Sequence, residues 1–161
     1  MRIILTRSRS CLGGSMQKEK GFTLIELMIT ITILAIIAML AAPSFGNLIL
    51  NQNLNKSTQE LIGQLNKARS KAVLERREIK VQLNSSVADT STQLNWTSQG
   101  DSILISGSPT QIIFQLNGGV KNFAADISGK PFIICNKSGG NESKNISISL
   151  MGTIQVTEGI C

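Results

Sequence analysis

The chain has 161 residues, 42% of them hydrophobic and 4% aromatic, with sixteen Lys and Arg against ten Asp and Glu and no histidine. One soluble domain of ordinary size fits beside the first 50 residues and two do not, and imidazole catalysis and histidine metal sites are excluded outright. The net charge of +6 is uneven: Arg2, Arg7, Arg9, Lys18 and Lys20 against Glu19 place most of it in residues 1–21, while from residue 81 onward four lysines face five acids. A basic balance distributed this way says little about nucleic acid.

The basic segment leads into an apolar run from Phe22 to Ala42 in which Glu26 is the only charge. At about 1.5 Å per residue the run makes roughly 31 Å of helix, enough to cross a hydrocarbon core. Cations ahead of it predict a cytoplasmic N-terminus, with the chain beyond the span facing out. A plain signal anchor and a cleaved secretory signal peptide are the simplest readings. The second fits poorly, because "MLAAPSF" puts Pro43 just after Ala42 and Leu40 where a small residue belongs. A lipoprotein site at Cys11 lacks an apolar lead-in. Neither simple reading explains Glu26. A carboxylate at that depth costs about 2.5 to 3.5 kcal/mol, which predicts a function and a partner. The nearest available cation would be an α-amino group made by cutting the chain beside it.

The stretch "KGFTLIELMI" resembles the prepilin processing site of type IV pilins and type II secretion pseudopilins. That resemblance implies that the prepilin peptidase cuts between Gly21 and Phe22, that Phe22 becomes the N-methylated first residue, and that Glu26 is the subunit-assembly carboxylate. It also implies a division into a cleaved leader (1–21), a transmembrane and assembly half of a long helix (22–50) and a soluble head (51–161). A start at Met16 would give the shorter leader "MQKEKG", and Cys11 would then never be made.

Pro43 and Gly46 come next, and a proline inside a long helix kinks it rather than ending it. Leu54, Thr58, Leu61, Ile62, Leu65, Ala68 and Ala72 recur at spacings of three and four, predicting an amphipathic helix through about Val73 that covers a sheet. Strands are predicted at "IKVQL" from Ile79, "QLNWT" from Gln93, "SILIS" from Ser102, "QIIFQL" from Gln111, "PFIIC" from Pro131, "ISISL" from Ile146 and "TIQVT" from Thr153. Asn117-Gly118 suits a tight turn, Met151-Gly152 a short connection, and "NKSGGNESKN" a loop. If the head is exported, Cys135 and Cys161 are the only cysteines beyond the span and a disulfide is expected. It would be worth roughly 3 kcal/mol in the loop-entropy model. Two separate thiols are the alternative.

The segments "LNKARSKAVLERR" and "IIFQLNGG", with the ending "ISISLMGTIQV" before a terminal cysteine, are similar to the GspH/FimT group of minor pilins and pseudopilins. The resemblance implies an α+β pilin-like fold, with one long helix packed on a small antiparallel sheet and a C-terminal disulfide. It implies a single-pass inner-membrane protein with a periplasmic head, whose partners are the prepilin peptidase and other major and minor pilins or pseudopilins. The expected role is a minor pilin in, or priming, a type IV pilus. The alternatives are a GspH-type pseudopilin of a type II secretion system and a FimT-like DNA-uptake minor pilin. DNA is the weaker partner: the Gly-Arg-x-Arg motif of the DNA-binding members is replaced here by Gly152, Thr153, Ile154 and Gln155, and phosphate contacts need cations.

Lys67, Arg69, Lys71, Arg76, Arg77 and Lys80, against Glu75 and Glu78, read foremost as a solvated helix end with local ion pairs. A DNA or partner-subunit contact is the alternative. Trp96 reads as a sheet core residue rather than a stacking platform. No phosphate loop, Cys/His pair or carboxylate pair supports catalysis, so no enzyme, metal or cofactor is expected.

Overall fold

The computed structural model describes residues 21–161, with residues 42–44 described by backbone alone. The expected leader up to Lys20, including Cys11 and Met16, lies outside the described residues. The chain divides into two compact units between Leu40 and Ala41.

Helix α1 spans Leu24–Glu75 and includes Pro43 and Gly46. Its segment Leu24–Ala41 is long and apolar enough to cross a membrane, and none of it is buried within the chain. Thr30 and Thr32 direct their hydroxyls to the carbonyls of Leu27 and Met28, at 2.8 and 2.7 Å. Two polar side chains of the apolar segment are thus satisfied by the helix itself.

In the second unit, Leu54, Leu61, Leu65, Ala68 and Ala72 of α1 are all buried, as their spacing predicts. Thr58 lies on the same stripe, its hydroxyl bonded to the Leu54 carbonyl at 2.8 Å. Ser57 is also fully buried, and its oxygen accepts the Gln99 N–H at 2.8 Å. The helix ends without glycine or proline. Arg76 takes a left-handed conformation at φ 49°, and the Arg77 N–H reaches back to the Ala72 carbonyl, the Schellman closure that satisfies a late helical carbonyl.

The strands form two sheets. The first has order β2-β1-β4, from β1 (Ile79–Leu83), β2 (Gln93–Trp96) and β4 (Gln111–Phe114). The second has order β3-β5-β6-β7, from β3 (Ile103–Leu104), β5 (Phe132–Cys135), β6 (Ser143–Ile148) and β7 (Ile154–Gly159), and is antiparallel throughout. Strand β1 alternates between fully and partly buried positions and sets Val81 opposite both Leu94 and Ile112. Phe132 pairs with Ile146, and Ile148 with Ile154. Their buried side chains join the helix stripe in one core with Phe114, Ile134 and Trp96.

The α+β pilin-like arrangement expected from the sequence is present, with four differences in detail. The single sheet is divided in two, and β1 with β2 is a parallel pair. The connection between them is held to β2 itself, by Asn95 N–H to Asp89 Oδ1 at 2.8 Å and Asn95 Nδ2 to the Ala88 carbonyl at 3.2 Å. The "NKSGGNESKN" loop is shorter than expected, because β6 begins at Ser143. A one-turn helix α2 (Phe123–Asp126), not foreseen from the sequence, precedes β5.

Cys135 and Cys161 form a disulfide, their Cα atoms 5.9 Å apart. It ties Cys161, just past the edge strand β7, to β5, two strands away across β6.

Candidate processing and assembly site

The expected cleavage and assembly residues cluster where α1 begins. Gly21 and Phe22 lie ahead of the helix in extended, exposed chain, with Phe22 85% exposed. A Cβ added at Gly21 would meet nothing within 4 Å. Among the described residues, none crowds that position. Glu26 lies in the first turn of α1 and is exposed, three residues beyond Thr23, whose hydroxyl oxygen accepts the Glu26 N–H at 3.2 Å.

Thr23 is a residue that the sequence reading passed over. The pattern Thr-x-x-Glu ahead of an apolar run signals a capping box, and the Thr23 half of it is formed. An N-cap hydroxyl is worth about 1 kcal/mol, and a carboxylate in the first turn is favoured by the helix dipole. The order of residues is chemically coherent: an unconstrained glycine, an exposed aromatic residue, a capped turn, and an acid at its third helical position. The arrangement places exposed, non-helical chain immediately before the first turn of α1.

In the head, three of the six helix-end cations, Lys67, Lys71 and Arg77, hold carboxylates. Lys67 pairs with Asp89 at 3.4 Å, Lys71 with Glu75 at 3.9 Å, Arg77 with Glu75, and Lys121 with Glu78 at 2.8 Å. Arg77 also donates to the Ser91 carbonyl at 2.8 Å. Arg69 differs: its Nε donates to the Gly118 carbonyl at 3.2 Å, and no carboxylate lies within 4 Å of it among the described residues. Trp96 is 3% exposed, which makes it a core residue and removes its face from any stacking role.

At the far edge of the second sheet, Lys144 donates to Glu158 Oε1 at 2.6 Å. That hydrogen bond, helped by the lysine charge, holds the Glu158 carboxyl below its ordinary value. Glu158 is exposed, so the pair adds little to stability.

Residues 16–42 match the prokaryotic N-terminal methylation motif, and residues 57–152 match the family described as type II transport protein GspH. Two fimbrial proteins of Pseudomonas aeruginosa are each 33% identical over 93 residues, covering 58% of this chain. The chain spans 56% of the length of these relatives. No solved structure matches it significantly. The family match takes in more than half of the chain, from the buried Ser57 of α1 to the turn after β6; with a methylation motif laid over the capped start of the same helix, this chain belongs to the GspH family of pilin-like proteins.

Proposed function

We propose that this protein is a minor pilin, a structural subunit inserted in the inner membrane with its head in the periplasm. The prepilin peptidase cuts between Gly21 and Phe22, the new Phe22 amine is methylated, and α1 then carries the subunit into or beneath a type IV pilus. The observation that carries the reading is the start of α1. Gly21 has no packing contact among the described residues, and a capped first turn holds Glu26 at the head of an unburied apolar segment. An outside protease accounts for the glycine, and a neighbouring subunit accounts for the acid.

In a filament, Glu26 of an incoming subunit pairs with the Phe22 amine of the subunit already in place. Each charge alone suffers desolvation, and the pair relieves it only when the axial register is right. A cost borne by the monomer thereby becomes a register signal for assembly.

A second reading, the GspH-type pseudopilin of a type II secretion system, draws on the family matched across residues 57–152; the fimbrial relatives favour the pilus. A DNA-uptake role has less support, because residues 152–155 carry no arginine and Lys67, Lys71 and Arg77 already hold carboxylates.

The test compares pili sheared from a strain lacking the gene with pili from the complemented strain, and measures the N-terminal mass of the complementing protein. The expected result is loss of most surface pili in the deletion and a mature chain beginning at methylated Phe22. Undiminished pili with a correctly cut chain would move the assignment to the secretion pseudopilus. An uncut chain would overturn both readings.

A further inference from the structure

Nine large apolar side chains beyond Ile49 are exposed among the described residues, and five of them gather at the C-terminal end of α1: Val73, Leu74, Leu116, Leu150 and Met151, each at least 46% exposed. Two loops bring them together. The turn after β4 and the tip of the β6–β7 hairpin meet through a hydrogen bond from the Val120 N–H to the Leu150 carbonyl at 3.0 Å. Arg69 lies beside this seam, in a cavity of about 430 Å³ that it shares with Asn66, Ser70, Val73, Leu74 and Asn117.

The position of Arg69 is built by glycine on both loops. Gly118 and Gly152 have φ of +79° and +76°, conformations that other residues adopt at a cost. A Cβ at Gly118 would lie 3.1 Å from Val73 and 3.4 Å from Arg69 Nε; one at Gly152 would lie 2.7 Å from the Gly118 carbonyl and 3.0 Å from Arg69 Nε. With Nε spent on the Gly118 carbonyl, the two terminal nitrogens have no hydrogen-bond partner among the described residues. The result is a guanidinium held in a mixed cavity, with Asn66, Ser70 and Asn117 beside Val73 and Leu74, and with exposed apolar side chains on its flank.

We infer that this patch is the docking surface for another filament subunit, and that Arg69 receives a carboxylate carried among apolar side chains of that subunit. The inference rests on the filament reading above and adds the contact that the head makes. Charge complementarity selects the occupant: a held guanidinium takes a carboxylate in a two-pronged bond, and the apolar rim excludes water from it. A two-fold pairing of this chain with itself would set Arg69 against Arg69. Duplex DNA needs several cations in a row, and Arg69 is the one cation that lines this cavity.

The experiment places a photo-reactive benzoylphenylalanine at Leu74 of the full chain in its own cells and identifies the peptide captured. Leu74 is 81% exposed, so the replacement leaves the core untouched. The expected adduct is a pilin-like subunit, joined within about one helical turn of an Asp or Glu. Arg69→Glu reduces its yield about tenfold or more, as for a desolvated charge pair, and changing that acid to Lys restores it. No adduct, an adduct insensitive to Arg69→Glu, a captured peptide without an acid, a self-adduct, or captured DNA overturns the inference. Oxidation of Cys135 and Cys161, scored in the same samples, confirms that each variant is folded. Cleavage at Gly21 and presence in sheared filaments are scored there too: if both are normal and the adduct is missing, the surface alone is wrong, whereas an uncut chain refutes the filament reading.

Discussion

Glu26 concentrates the functional argument in one side chain. The helix gains from an acid in its first turn, and the Thr23 oxygen accepts its N–H, but neither effect requires a carboxylate inside a membrane segment. Glu26→Ala is therefore expected to leave cleavage and methylation intact while removing the protein from sheared filaments, read by immunoblot of membrane and filament fractions. Normal incorporation of that variant would show that its register role is wrong. Glu26 was conspicuous in the sequence because a charge in an otherwise apolar run stands out. Thr23 was less visible: its hydroxyl matters only through a hydrogen bond three residues on, and threonine is unremarkable in such a run.

At the scale of elements, the end of α1 stores a correctable cost. Arg76 sits at φ 49° where glycine normally closes a helix. Arg76→Gly is expected to stabilise the head by about 0.5 to 1 kcal/mol, measured as a rise in the urea midpoint with an unchanged slope. The β6–β7 pair carries a pH effect of definite sign. Its bond from Lys144 keeps the folded Glu158 carboxyl below the ordinary value. The small stability it brings is present above that ordinary value and is lost as pH falls through the lowered one. In Lys144→Met the Glu158 carboxyl should titrate at a higher pH, visible in its carbon resonance. An unmoved titration would show that the lysine is not the cause. Strand positions were readable from their alternation, and six of the seven begin within a residue of the expected start. The exception, β6, starts three residues early, at Ser143, inside a segment whose composition signals a loop.

Across the whole molecule, the disulfide does what no single strand can. It fastens the last residue of the chain to a central strand of the second sheet, so the edge strand β7 is closed at both ends. Cys161→Ser should lower the stability of the head by about 3 kcal/mol in the loop-entropy view, seen as a lower denaturant midpoint. Reducing agent should lower the wild type to the same value and leave the variant unchanged.

The sequence by itself determined the membrane-length helix, its acid and glycine, the helix stripe and the placement of most strands. Each is written in spacing along the chain, which a periodic backbone turns directly into a face or a turn. It also allowed the Cys135–Cys161 pair, though with two thiols as an open alternative. Only the tertiary structure decided the division into two sheets and the parallel partnership of β1 and β2, because strand order depends on where loops return rather than on what the strands contain. It alone showed Arg69 cradled by Gly118 and Gly152. Those glycines lie 34 residues apart in sequence, and both approach an arginine on a third element, a meeting that local patterns could not reveal.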